Sequence, residues 1–243
     1  MARKPIVWVV VPFSRPEMKH RVLRNFHRQT YKDKRLVIVE NGEGVGTFTD
    51  DEHLYDHILL SPAHQSHAKN TAIDFLKGKY PDDYWCCMDD DDFYGSEYVT
   101  EHATRAKRGR INGKRNAWIQ FDSGLVYFGH HWEPYTEAKS LVGGTMGSYL
   151  ADAQDFPVVV AGEEAGFCRA ARAAGCEVLT TSPKNFCYNR LGDTKSHTFQ
   201  AREEKMWRFS GGTGIKVLGS WLHWVIGSPP VGNPSQYTPP ESS

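Results

Sequence analysis

One stretch limits what this chain can fold into more than any other. Tyr84-Trp85-Cys86-Cys87-Met88 is an apolar run of strand length that empties directly into Asp89-Asp90-Asp91-Asp92 before Phe93-Tyr94. A strand that is apolar on successive residues is buried on both faces, as in a parallel sheet covered by helices. Four neighbouring carboxylates at its end repel and raise one another's pKa, so they need solvent, protons or a bound cation. A helix beginning near Gly95-Ser96-Glu97 would use one or two of them as N-terminal acids. Metal binding and helix capping are both compatible with this stretch alone.

The neighbouring sequence supplies the rest of such a sheet. Ile6 to Val11 is a second continuous apolar run, stopped by Pro12-Phe13-Ser14-Arg15-Pro16. From Glu17 to His27 the positions Met18, Val22, Leu23 and Phe26 fall at helical spacing behind Pro16, and a strand follows at Arg35 to Glu40. This β-α-β unit ends both strands in polar loops, where parallel sheets gather their ligands. The loop Asn41-Gly42-Glu43-Gly44-Val45-Gly46 is read as a turn, because it follows the second strand and opens no helix. A short strand at His57 to Leu60 and a helix from His64 to Lys77, buried through Ala68, Ala72, Phe75 and Leu76, lead into the aspartate strand. A helix from Ser96 to Arg108 leads to Trp118 to Phe121 and Gly124 to Phe128, a hairpin or a pair of strands. Gly143 and Gly144 lie where a backbone can approach a ligand closely. Gly162-Glu163-Glu164 opens a helix to Ala174 that Gly175 ends, and short strands are expected at Cys176 to Thr180 and Asn185 to Arg190. The pattern predicts an α/β fold with a mostly parallel sheet flanked by helices and a smaller added antiparallel sheet. Residues 1–226 are read as one domain, and 227–243, rich in proline, as a flexible or extended tail.

Charge and cysteine usage narrow the function classes. Lys plus Arg equals Asp plus Glu at 29 each, so no general attraction to nucleic acid or anionic membrane is expected. A local run, Arg105, Lys107, Arg108, Arg110, Lys114 and Arg115, could meet phosphates or simply be a solvated helix end. Five cysteines without a CxxC read as reduced thiols in a cytosolic protein. No apolar run reaches membrane-span length, and Trp221 to Ile226 suffices only for peripheral contact with a lipid surface or for packing. The pairs His64/His67 and His130/His131 lack a partner set for zinc and are taken as structural.

Four segments together resemble the nucleotide-sugar glycosyltransferases of family 2, which have the GT-A fold. They are Val10-Val11-Pro12-Phe13-Ser14-Arg15 with Asn25 to Tyr31 and Leu36 to Gly42; His67-Ala68-Lys69-Asn70, with lysine for the usual arginine; Met88 to Tyr94, like the family's DXD segment; and Gly162 to Phe167 in the place of its Glu-Asp motif, with Glu164 where aspartate is usual. The resemblance covers roughly residues 5 to 200 and implies a metal-dependent, inverting sugar transfer from a nucleotide-diphosphate donor, UDP-linked by expectation. It implies Asp91 as the carboxylate on Mn²⁺ or Mg²⁺, His197 completing the metal shell, and Asp89 near the ribose, with Asp90 able to exchange roles with either. Pro12, Phe13, Ser14, Arg15, Glu40 and Asn41 would line the base and ribose pocket, and Lys69, with Asn70 beside it, would bring a cation to the diphosphate. Gly143 and Gly144 would pass under the donor sugar or acceptor. Glu164, ahead of Glu163, would be the general base. The acceptor, whether glycan, lipid-linked or nucleic acid, stays open. The rival readings are a nucleic-acid-binding or interaction module whose aspartates cap a helix, and a nucleotidyltransferase on the same fold.

Overall fold

The computed structural model describes residues 6–48, 55–61, 64–111, 117–121, 123–127, 132–136, 143–158, 163–181 and 185–189. The expected apolar runs are its central strands: β1 (Val7–Phe13), β2 (Lys34–Glu40), β3 (His57–Leu60) and β4 (Tyr84–Cys87). Between them lie α1 (Lys19–His27), entered through a 3-10 turn at Pro16–Met18, and α2 (Gln65–Lys79). β5 (Phe93–Tyr94), α3 (Tyr98–Ile111), β6 (Ala117–Phe121), β7 (Ser123–Tyr127) and β8 (Trp132–Thr136) follow. The chain continues with β9 (Gly147–Tyr149), α4 (Glu163–Ala173), β10 (Glu177–Thr181) and β11 (Phe186–Asn189).

Seven strands form the main sheet in the order β10-β6-β9-β4-β1-β2-β3. β1, β2, β3 and β4 run parallel, β6 and β10 run parallel to each other, and β9 alone is reversed between β4 and β6. The side-chain alternation of β1 divides the core into two layers, one on each face of the sheet. Val7, Val9, Val11 and Phe13 pack with Val22 and Phe26 of α1 and with Tyr98, Val99 and Ala103 of α3. Trp8 and Val10 face Ala68, Ala72, Ile73 and Leu76 of α2 and Phe167, Cys168 and Ala171 of α4. Cys86 and Cys87 accordingly lie in opposite layers, and the described cysteines Cys86, Cys87, Cys168 and Cys176 carry free thiols.

β6 and β7 are two strands but not a hairpin. β6 joins the main sheet, whereas β7 belongs to a four-stranded sheet of order β5-β11-β7-β8. That smaller sheet, expected to be antiparallel, holds antiparallel β5/β11 and β7/β8 pairs and one parallel β11/β7 pair. α4 ends as its sequence predicts: Gly175 takes φ +80, and the amides of Gly175 and Cys176 donate back to the carbonyls of Arg172 and Ala171. The expected tail at 227–243 lies outside the described residues. Among the described residues no helix is long and apolar enough to cross a membrane.

Candidate active site

Because β1 and β4 are parallel neighbours, their C-terminal ends emerge together, and the site is built where they leave the sheet. β4 delivers Asp89–Asp92 into a turn whose main chain is held from several sides. Arg21 donates to the Asp91 carbonyl at 2.5 Å and Asn25 Nδ2 to the Asp92 carbonyl at 2.9 Å. The Asp89 amide donates to Tyr94 Oη at 2.7 Å, and that hydroxyl donates in turn to the Gly144 carbonyl at 2.8 Å. Gly144 needs to be glycine for this arrangement, since a Cβ there would lie 2.6 Å from Asp89 Oδ2 and 2.8 Å from Tyr94 Oη. Gly143 opens the same 3-10 turn, Gly143–Thr145.

Asp90 and Asp91 share one cation, and Asp89 has a partner of its own. Asp90 Oδ2 accepts the Ser14 amide at 3.1 Å, and Arg15 bridges Asp90 Oδ1 at 2.7 Å and Asp91 Oδ2 at 2.6 Å. Asp89 Oδ1 accepts from Gln65 Nε2 of α2 at 3.0 Å. Burial pushes the Asp90 carboxyl up to about 6, against the pull of Arg15, and it raises Asp89 as well despite the field of Lys69. Burial thus holds Asp89 and Asp90 towards their protonated forms.

Lys69 sits deeper. Its ammonium is fully buried, 3.3 Å from Glu164 Oε1, 3.9 Å from Glu163 Oε1 and 5.1 Å from the centre of the Phe156 ring. Burial opposes its charge, but Glu164 and Asp89 outweigh that effect and raise its pKa. Burial likewise works against an ionised Glu164, yet Lys69 lowers the Glu164 pKa, while Glu163 is raised by its own burial and by the neighbouring Glu164 charge. Lys69, expected beside a diphosphate, faces inward here and ties α2 to α4. Asn70 is also committed, its amide nitrogen on the Phe156 carbonyl at 2.8 Å and its oxygen on the Phe156 amide at 2.7 Å.

At the end of β2 the two pocket candidates differ. Glu40 is fully buried and accepts the amides of Gly46 at 2.6 Å and Phe48 at 2.7 Å, which pins the loop that follows it. Asn41 is buried with its Oδ1 lacking a hydrogen-bond partner among the described residues. Pro12 is buried, and Phe13 packs edge-on against Phe48 with ring centres 4.8 Å apart, so both belong to the core at the end of β1. His197 lies outside the described residues. Sequence reading missed Gln65, Arg21, Asn25 and Tyr94 as parts of the site. All four are polar or aromatic residues that make contacts far along the chain, and no local period marks such contacts.

Two solved structures share this architecture. The mannosyltransferase PcManGT from Pyrobaculum calidifontis, in complex with GDP-Man and Mn2+, has a TM-score of 0.52 and 14% identity, over 74% of this chain and 55% of its own. S. aureus TarS 1–349 has a TM-score of 0.52 and 13% identity, over 75% of this chain and 60% of its own. The chain has the GT-A fold. It spans little more than half the length of these two proteins, and identities this low speak for the fold alone. No family model matches the sequence, and no curated protein does. In GT-A terms, the acidic turn closes the central parallel strand and α4 brings its glutamates to the same sheet edge. Among the described residues no group of three or more His, Cys, Asp or Glu side chains is already gathered as a metal site.

Proposed function

We propose that this chain is a metal-assisted, inverting glycosyltransferase that moves a sugar from a nucleotide-diphosphate donor, a UDP-sugar by the sequence resemblance, to an acceptor hydroxyl. The observation that supports this most is the joint placement of Glu164 and Asp89 in the field of one buried cation, Lys69. Glu164 is held ionised beside the acidic turn, the state a general base must be in before it takes a proton from an attacking hydroxyl. Lys69 then acts as a positioning residue: it sets the charge of Glu164 and fixes α4 to α2.

The residues fit a divalent ion. Asp89, Asp90 and Asp91 offer hard oxygen donors on successive residues of one turn, and Asp90 and Asp91 already converge on a single cation, Arg15. Asp91 would hold Mn²⁺ or Mg²⁺, with His197 as the expected further ligand, Asp89 near the ribose and Asp90 able to exchange roles with either aspartate. When bound, the ion offsets the negative charge that develops on the departing diphosphate. Gly144 keeps Asp89 in place, Tyr94 fixes its main chain, and Gln65 orients its carboxylate. The unpartnered Asn41 oxygen is suited to an N–H on the edge of the base, whereas Glu40 holds the loop that carries that pocket.

The test is thermal stabilisation by UDP and by GDP with and without Mn²⁺. Stabilisation that needs Mn²⁺ and disappears in Asp91→Ala is expected. Glu164→Gln should keep the stabilisation and lose turnover by about 10²–10⁴-fold in a screen of nucleotide sugars for slow hydrolysis. Absence of any nucleotide effect would remove the donor site, and an active Glu164→Gln would remove the base.

A further inference from the structure

Arg15 combines direct contact with two carboxylates of the acidic turn and a partly exposed side chain. Its guanidinium gives one nitrogen to Asp91 Oδ2 at 2.6 Å and another to Asp90 Oδ1 at 2.7 Å, and 22% of the side chain remains exposed. Lys69, by contrast, is completely buried, and Arg21 is spent on the Asp91 main chain and on the Phe93 ring, 4.7 Å away. We propose that Arg15 is a displaceable stand-in for the metal: without a divalent ion it neutralises Asp90 and Asp91, and on metal and donor binding it passes to the donor's diphosphate. The inference rests on the reading above that this turn holds a divalent ion.

Three features of the site support the exchange. The guanidinium and a metal ion would compete for the same oxygens, since two cations cannot share Asp91 Oδ2 at contact distance without strong repulsion. The turn does not depend on Arg15 for its shape, because Arg21, Asn25 and Tyr94 hold its main chain and the Ser14 amide orients Asp90. Arg15 also lies two residues past the end of β1, which adjoins that of β4, so a short swing of its side chain keeps it at the edge where a diphosphate would lie. A planar fork that bridges two carboxylates is equally suited to phosphate oxygens, so each charge finds a partner in both states.

The experiment measures Mn²⁺ binding from the free-ion EPR signal, alone and with UDP or GDP, for the wild type, Arg15→Lys and Arg15→Gln. With Mn²⁺ alone, Arg15→Gln is expected to bind at least ten-fold tighter than wild type. Arg15→Lys keeps the charge but cannot bridge both carboxylates, and is expected to bind several-fold tighter. With Mn²⁺ saturating, both variants are expected to bind the nucleotide at least ten-fold more weakly. Tightening in Arg15→Gln but not in Arg15→Lys would mark a simple charge effect and overturn the proposal, as would undiminished nucleotide binding. Should Arg15→Gln fail to melt cooperatively, the conservative lysine variant decides alone. A wild type that binds Mn²⁺ neither alone nor with nucleotide would sink the metal reading itself, whereas normal wild-type binding with metal and nucleotide affinity moving in the same direction in the variants sinks only the exchange.

Discussion

Replacing Lys69 by methionine tests the electrostatic centre of the molecule. The side chain keeps similar length and its contact with Phe156, so the change removes charge with little cavity. Two carboxylates, Glu163 and Glu164, then lose a cation lying within 4 Å. Breaking a buried pair by removing one partner costs about 3–5 kcal/mol, which for a domain of this size is a fall in Tm of roughly 6–20 °C. The pH dependence carries the sign. Glu164 has a lowered pKa in the folded state, so its contribution is present above the ordinary glutamate value of about 4.3 and is lost as pH falls through the folded value. Lys69 has a raised pKa, so its contribution is present below the ordinary lysine value of about 10.4 and is lost only as pH rises through the folded value. The gap between wild type and Lys69→Met should therefore be full near pH 7 and narrow towards pH 4, where the variant's glutamates take up protons. Urea melts at pH 4, 7 and 9 measure it. In parallel, the acid limb of the variant's activity profile should move to higher pH, because Glu164 is no longer held ionised. Equal Tm values at pH 7, or a gap that stays constant on acidification, would refute the assignment of Lys69 as the partner of Glu164.

Gly144→Ala should displace Asp89, because the new methyl would meet its carboxylate at 2.6 Å; a stability loss of about 1–3 kcal/mol by urea melt is expected, together with loss of Mn²⁺-dependent nucleotide stabilisation. Tyr94→Phe leaves the Asp89 amide and the Gly144 carbonyl without their shared hydroxyl, and should cost about 1–3 kcal/mol in the same melt while weakening metal-dependent nucleotide binding.

Most of the sheet was legible because its central strands are long and apolar. β1, β2 and β4 announce themselves as runs buried on both faces, and the helices between them keep a helical period. β9 has three residues, Gly147-Ser148-Tyr149, too few to show any alternation. β6 and β7 are neighbours in the chain, yet β6 pairs with β10 some sixty residues on, a choice made by the sheet and not by a local turn. The acidic turn was legible as charge in need of a cation, but its cations Arg15 and Arg21 lie 76 and 70 positions away from Asp91. Lys69 did leave a trace: positions 69, 72, 73 and 76 form one helical face, and a lysine on an apolar stripe signals a buried, paired ion.

The lone reversed strand has a consequence for how such a site can vary. Since β9 runs against β4, the chain arrives at Gly144 from the very end at which β4 departs, and the two halves of the rim are cut from opposite directions of travel. Substitutions in the Gly143–Thr145 turn therefore act on the rim at the point where the reversed strand enters the main sheet, so one short turn couples the shape of the cleft to the seating of β9.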